Sequence, residues 1–487
     1  MSAVAVIGAG AVGMTLAARL AQLGVDVEVF DALRGPARVG SRAICMQRET
    51  LEIWARIGIG ERVAERGVQW RVGRTYFRGR ELFSVELPGA GKEHFPPFVN
   101  ISQSEVEEML AARLAEWGVP IHWGHQLTDF SQDAEGVTAA FETDTDDVAH
   151  RSAYLVGADG AHSSVRHAAG IGFPGYTFDD RFLIADIRAD LPFGNERHFH
   201  FDPPWNPGRQ VLIHPQPDGV WRIDWQVPSE TDADAEVSSG RLERRVREVI
   251  GPSAPFELLW VTAYRFSQRL AAAFRVRRVF LAGDAAHVMS PFGARGLNSG
   301  VADAENLAWK LARVLAGSSP PALLDSYEVE RRAAALENLR VTDATMRFMA
   351  PRGALRRAWR NLVLRMAPRS RLFRAGVNSG RLAEPFVYPA SPIVARDHGH
   401  VAPDVPLPGG SRLRDRLGRG FVILLPAAAE LPSLPHDAGV VVIGPVSAYG
   451  DDRAWIVRPD GHVADSLQLT DAELPDRLAR AAGVAAP

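Results

Sequence analysis

AVAVIGAGAVGMTLAARLAQLGVDVEVFD, residues 3–31, is the stretch whose reading decides the fold. Val4 to Ile7 is an unbroken apolar run, as in a strand buried on both faces, and Met14 to Leu23 carries apolar residues at helical spacing. Between them Gly8, Gly10 and Gly13 spell G-x-G-x-x-G. Each glycine has its own duty: Gly8 permits the turn, Gly10 lets backbone amides approach a pyrophosphate, and Gly13 lets helix and strand pack closely. The helix N-terminus adds partial positive charge. A second strand, Val25 to Phe30, then delivers Asp31, 18 residues beyond Gly13, where a carboxylate can accept a ribose hydroxyl. Strand, tight turn, helix, strand and acid together predict a Rossmann-like dinucleotide-binding unit.

Two later segments repeat this logic. YLVGADGAHSSVRHAAG (154–170) places Asp159-Gly160 after a strand, with Ser163 and Arg166 at a helix start. VFLAGDAAHVMSPFGARGLNSGVADAENLAWK (279–310) ends a strand in Gly283-Asp284 and leads through PFGARGLNSG into a helix expected to begin near Ser299. Val301, Ala304, Ala308, Leu311 and Leu315 follow helical spacing there. That helix N-terminus should face an electron-rich group.

The rest of the chain bounds the function. It has 487 residues, enough for two or three domains, and 55 Lys plus Arg nearly balance 58 Asp plus Glu, so no global charge points to nucleic acid. The Gly-rich turn starts at residue 8 and no apolar run approaches the ~20 residues of a membrane span, so the expectation is a cytoplasmic protein without a leader or stable membrane insertion. Cys45 is the only cysteine, which excludes internal disulfides, a Cys-rich metal site and a CxxC pair. Redox chemistry must therefore come from a bound cofactor.

Outward from these motifs, WRVGRTYFRGRELFSVEL (70–87) alternates as a hairpin turning near Arg78-Gly79, and SEVEEMLAARLAEWG (104–118) reads as an amphipathic helix stopped by Gly118. Residues 181–264 are strand-rich (FLIADIRAD, RHFHFD, QVLIHPQ, VWRIDWQV) and predict an inserted antiparallel sheet. Residues 320–349 read as helix, and the Arg-rich 351–374 segment as a helix with a solvated face. The expected units are residues 1–180 with 265–345, with a hairpin at 71–97 contributing to the sheet unit 181–264. A helical segment and linker follow at 346–400, then a small α/β unit at 401–487, closing on a helix from about Asp471 to Ala482.

GAGAVG with Asp31, SRAI around Arg42, Gln103 ahead of a helix, GADGAHSSVR and LAGDAAHVMSPFGARGLNSG stand in the order and spacing of a known family. The chain resembles the single-component FAD-dependent aromatic hydroxylases, of the 3-(3-hydroxyphenyl)propionate hydroxylase and pentachlorophenol monooxygenase type, over roughly residues 1–345. The tail resembles the thioredoxin-like C-terminal domain of larger members, without its thiols. The resemblance implies an α/β fold: a Rossmann-like FAD-binding domain with an inserted antiparallel β-sheet substrate domain and a thioredoxin-like C-terminal domain.

It further implies that NADPH or NADH reduces FAD, that O2 gives a flavin C4a-hydroperoxide, and that a phenolic or other electron-rich aromatic is hydroxylated. Gly8, Gly10, Gly13 and Asp31 would hold the ADP half, Arg42 and Gln103 its ribose and pyrophosphate, and Asp159 and Asp284 further hydroxyls. Pro291 would lie beside the flavin ring, and Gly296, Leu297 and Asn298 would offer amides to its pyrimidine end. Arg295 departs from the Gly, Gln or Lys of many relatives; with Pro291 and Asn298 it forms the expected catalytic set. Baeyer-Villiger oxidation or epoxidation of a polyketide-like substrate, and a non-enzymatic flavin scaffold, remain open, as does a homodimer.

For the substrate, the inserted sheet offers His198, His200, His214, Arg222 and Asp224, with His198 and His200 on one face of a strand. A phenol-activating base among them competes with the ordinary reading of a solvated histidine pair. His200, Trp221, Asp224 and Phe292 are the substrate candidates. Trp225 shares the pocket expectation of Trp221, Trp260 and Trp309 read as core, and His287 reads as a structural helix-start residue. No metal site is expected.

Overall fold

The computed structural model describes residues 2–36, 43–87, 94–351, 353–370, 373, 377, 385–407, 410–425, 441–444, 446, 449–450, 452–468 and 473–484. Its first sheet is parallel at the centre, running Val279–Leu281, Asp147–Gly157, Ser2–Ile7, Val27–Asp31, Ile121–Trp123. Gln126–Gln132 and Val137–Glu142 join antiparallel to it as a meander through Asp147–Gly157. Val4, Val6, Leu155, Val156, Phe280 and Leu281 are fully buried; the helix Ala11–Gln22 packs on Ser2–Ile7 and Val27–Asp31, and Phe141 of the meander stacks on Phe30 (4.6 Å). The helix Ala11–Gln22 packs along Gly296–Leu315. That second helix begins at Gly296, three residues before the expected Ser299, because Gly293 (φ 97°) and Ala294 (φ 53°) turn the chain early.

The second sheet is almost wholly antiparallel, in the order His287–Val288, Glu257–Leu270, Gly175–Arg188, Val220–Val227, Gln210–Pro215, Glu196–Phe201, Val72–Phe77, Arg80–Glu86. Its exception is the parallel pairing of Glu196–Phe201 with Val72–Phe77, which brings the early hairpin into the sheet. That hairpin turns on Arg78 and Gly79, both at positive φ (51° and 80°), as a two-residue turn of matching twist requires. Alternation splits the sheet residues between two cores. Ile213, Trp221, Ile223 and Trp225 pack with Leu242 and Val246 of the helix Arg241–Ile250. Phe182, Phe199, Leu212, Phe266 and Phe292 gather on the opposite face with Met346, Met349 and Leu364.

The tail forms a smaller sheet, Val441–Ile443, Val422–Leu424, Arg453–Val457, Val463–Gln468, with the helix Leu474–Ala481 against it. Its contact with the rest is both apolar and ionic. Trp309 of the Gly296–Leu315 helix enters the tail's core beside Phe421 and Ile456.

Next to it lies a buried charge lattice centred on Glu330, in the helix Asp325–Met349. Its carboxylate accepts from Arg458 Nη1 (2.5 Å) and Nη2 (2.9 Å), Lys310 Nζ (2.8 Å) and Asn306 Nδ2 (2.7 Å). One turn away Asp303 accepts from Arg331 Nε (2.6 Å) and the backbone N–H of Gly283 (3.0 Å), and pairs with His287 Nε2 (2.7 Å). His287 is thus structural, but it stands in a two-residue strand rather than at a helix start. No described helix is long and apolar enough to cross a membrane.

Burial opposes ionisation of Glu330, yet Arg458 and then Lys310 more than offset this and hold its carboxyl at about 2, below its ordinary 4.5. The unfolded chain therefore binds this proton at higher pH than the folded one. Its contribution is present above about pH 4.5 and is lost as pH falls toward 2. Glu330→Gln leaves Lys310 in the interior without its carboxylate and Arg458 with Asp460 alone, and should cost about 3–5 kcal/mol of unfolding free energy, read by urea denaturation at pH 7. The variant should also lose part of the wild type's destabilisation between pH 5 and 3.

Candidate active site

One cavity of about 690 Å³ connects the Gly-rich turn to the second sheet. Gly10, Ala11, Val12, Gln103, Ala158, Gly160 and Asp284 line one part, residues 291–298 the middle, and Phe199, Leu212, His214, Arg222, Asp224 and Trp260 the sheet wall.

The Gly-rich turn shows which glycines serve packing and which serve a ligand. A Cβ on Gly8 would collide with the carbonyl of Ala158, and one on Gly13 with that of Gly8. Both positions close backbone on backbone behind the cavity. At Gly10 the only atom near such a Cβ is Glu107 Oε1, at 3.6 Å, and at Gly160 and Gly296 nothing lies within 4 Å. These three face open space, the cradle that an extended dinucleotide needs. Asp31 sits behind the turn, accepting from Ala9 N (2.6 Å) and Leu33 N (2.8 Å), which fixes its carboxylate beside the turn. Asp159 caps its helix through Val165 N (3.1 Å) while its other oxygen is buried without a partner, and burial raises its pKa. Such an orphaned acceptor beside the cleft fits a hydroxyl-rich ligand. Arg42 lies outside the described residues. The residues present fit FAD.

A residue that sequence reasoning missed stands at the same turn. Glu107 Oε1 accepts the N–H of Ala11 (3.0 Å), the first residue of the helix, and also Gln103 Nε2 (2.8 Å). Its carboxylate thus occupies the position at the helix N-terminus where a diphosphate oxygen would bind. Burial, and more weakly Asp31, raise its pKa against the hydrogen bonds from Gln103 and Ala11. The signal was available: Gln103 and Glu107 are four apart on one helix face.

Residues 291–298 are braced from below. Ala294 holds a left-handed conformation that costs a non-glycine residue about 1 kcal/mol. Its carbonyl accepts from Gln47 Nε2 (3.3 Å) and Asn298 Nδ2 (2.5 Å). Asn298 also donates to Cys45 O (3.0 Å) and accepts from Gln47 N (2.9 Å) and Thr50 Oγ1 (2.6 Å). The Asn298 side chain is therefore committed to a clasp between this loop and the strand Cys45–Gln47. Only its backbone is left to face a ligand. Arg295 precedes the helix Gly296–Leu315 and reaches Asn338 of the neighbouring helix, although it also borders the cavity. Burial lowers its pKa, against the pull of Glu337.

On the sheet wall, strand alternation corrects part of the expectation. Asp224 and Phe292 line the cavity. His200 and Trp221 do not: Phe199 and Arg222, their strand neighbours, face the cavity, so His200 and Trp221 point to the other face. There His200 stacks on Tyr76 (4.4 Å), and Trp221 packs on Phe193 (5.5 Å). Trp225 lies in the core of that same face. Trp260, expected in the core, instead borders the cavity beneath the Arg222 guanidinium (5.5 Å). Burial pushes the Asp224 carboxyl up to about 7, against the opposing pull of Arg222.

The FAD binding domain family matches residues 1–342. A 3-(3-hydroxy-phenyl)propionate/3-hydroxycinnamic acid hydroxylase of Comamonas testosteroni is 34% identical over 353 residues, 72% of this chain and 59% of that one. The chain thus spans about three fifths of that relative's length. A dialkyldecalin synthase of Streptomyces rugosporus is 32% identical across 95% of both chains. Among solved structures, a ternary complex of aklavinone-11 hydroxylase with FAD and aklavinone superposes with a TM-score of 0.81 at 26% identity, covering 99% of each chain.

Two outcomes test this geometry. Glu107→Gln removes a negative charge from the diphosphate position and should tighten FAD binding at pH 7 by about tenfold, measured by flavin fluorescence quenching. Asn298→Ala leaves the Ala294 turn unbraced and should weaken FAD binding by at least about tenfold while lowering Tm by only a few degrees.

Proposed function

We propose that the chain, which belongs to the FAD-binding-domain family of FAD-dependent monooxygenases, hydroxylates a phenolic or other electron-rich aromatic compound at the expense of NADPH or NADH and O2. The observation that carries this reading is the continuity of one cavity, from the amides of the Gly-rich turn, past residues 291–298, to an aromatic and polar sheet wall. A cofactor held at one part meets a small molecule held at the other. The names of the hydroxylases reported above support the same reading.

FAD, when bound, supplies the electron and oxygen-transfer chemistry. The chain's own groups do the rest. Gly10 and the amide of Val12 would seat the diphosphate, with Asp31, Asp159 and Asp284 toward the hydroxyls and Gln103 beside them. The Gly296–Leu315 helix N-terminus, at Gly296, Leu297 and Asn298, would supply positive potential toward the flavin, with Pro291 among the residues that would hold it. Phe182, Phe266 and Phe292 form an edge-to-face cluster (5.6 and 6.2 Å) that keeps water from the chamber. Asp224, its proton affinity raised to about 7, is placed to accept a proton from a substrate hydroxyl. The architecture assigned to these roles is an FAD-binding domain, 1–180 with 265–345, a sheet domain, 181–264, with the hairpin, and a thioredoxin-like tail, 401–487. A cytoplasmic location follows from the same reading.

The test is a screen of the FAD-loaded protein with NADH and NADPH under labelled O2, with mass spectrometry of products. One labelled oxygen atom on an aromatic ring is the expected result. Its appearance in a lactone or epoxide would replace hydroxylation with the corresponding oxygenation. Substrate conversion without nicotinamide consumption would favour a synthase-type reaction, as the name of the full-length relative suggests. Phe292→Ala admits water and should divert a larger share of consumed NAD(P)H to hydrogen peroxide, read by a peroxidase-coupled assay.

A further inference from the structure

Four arginines line the cavity: Arg74, Arg197, Arg222 and Arg295. Three are engaged. Arg74 pairs with Glu196 and Glu81, Arg222 grips Asp186 through Nε (2.8 Å) and Nη2 (2.7 Å), and Arg295 bonds Asn338. Arg197 has no hydrogen bond and no ion pair among the described residues. Its guanidinium lies half-buried on the cavity wall near the rings of Trp70 (5.9 Å) and Phe199 (5.7 Å), and desolvation lowers its pKa. A desolvated cation without a hydrogen-bond partner is costly, and two aromatic rings and the more distant Asp224 offset only part of that cost.

Its surroundings also have unused polar capacity. His214, opposite Arg222 on the adjacent strand, has a buried Nδ1 with no partner, and burial keeps the ring neutral. Asp224, 3.9 Å from His214, has a buried Oδ1 with no partner. Asp224 attracts Arg197 electrostatically without closing an ion pair on it. Because Asp186 balances Arg222 and Glu196 balances Arg74, Arg197 is the arginine of the sheet wall left for a ligand to meet.

We infer that Arg197, His214 and Asp224 form a substrate subsite that selects aromatic compounds carrying an acidic oxygen, carboxylate or phenolate, beside a hydroxyl. The acidic oxygen accepts from Arg197; the adjacent hydroxyl donates to Asp224 Oδ1. Arg197 is the specificity-determining residue, because a neutral ligand would desolvate its charge without giving it an acceptor. The inference rests on reading this cavity as the substrate chamber.

The test uses the FAD-loaded protein and three probes: 1-hydroxy-2-naphthoate, its carboxamide, and 2-naphthol, with Kd read from perturbation of the flavin spectrum. The naphthoate should bind at least about tenfold more tightly than the carboxamide. 2-Naphthol binding should instead strengthen as pH rises through the naphthol's own ionisation if phenolate is the preferred form. Arg197→Met should erase whichever preference the wild type shows, with FAD affinity unchanged, and Arg197→Lys should restore part of it. Equal binding of acid and amide together with pH-independent naphthol binding would overturn the inference, as would failure of all three probes to bind. A preference that survives in Arg197→Met overturns it too. If that variant loses FAD, the wild-type comparison decides alone. A wild-type protein that never takes up FAD refutes the proposed function instead.

Discussion

Glu330 is the point on which the architecture hangs. Its carboxylate gathers Arg458 from the tail and Lys310 and Asn306 from the Gly296–Leu315 helix. Such a lattice is not a large source of stability, because desolvating three charges consumes most of what their attraction returns. What it supplies is uniqueness of position. Lys310 and Asn306 admit only one rotation of their helix, and that rotation places Asp303 under the N–H of Gly283 and Gly296 at the mouth of the cavity. The tail, far from the Gly-rich turn in sequence, thereby holds the helix that borders the reaction chamber.

The chamber is an asymmetric box. One side is backbone: the amides of the Gly-rich turn and of the helix start, which any flavin nucleotide could use. The other is side chain, with an apolar cluster around Phe292 and a polar row on the sheet. In the proposed function the first side holds the cofactor and the second the substrate. The clasp made by Asn298, Gln47 and Thr50 joins the two, since it fixes the loop that separates them.

Most of the cofactor side was legible in sequence because its determinants are local. A glycine at a forced turn, an acid after a strand and a capping Ser163 are each readable within a few residues, and Ser163 does accept the N–H of Arg166 (2.9 Å). The substrate side was only half legible. Period-2 alternation correctly grouped His198 with His200, but it carries no sign, so it could not say which face met the cavity. Register with the Arg241–Ile250 helix, a long-range contact, decided that Trp221 and His200 turn away. Asn298 was expected to offer its backbone, but the clasp of its side chain on Gln47 was beyond sequence reach for the same reason, as the two stand 251 residues apart.

One further consequence concerns where the chain can be cut. The family match ends at residue 342, inside the helix Asp325–Met349, and Glu330 and Arg331 belong to it while Tyr388, Arg458 and Asp460 do not. A fragment ending there would keep every recognisable motif and lose the countercharges of its own interior. Sequence homology and mechanical integrity therefore divide this protein at different places. Grafting another tail would succeed only if it restored an arginine where Arg458 stands.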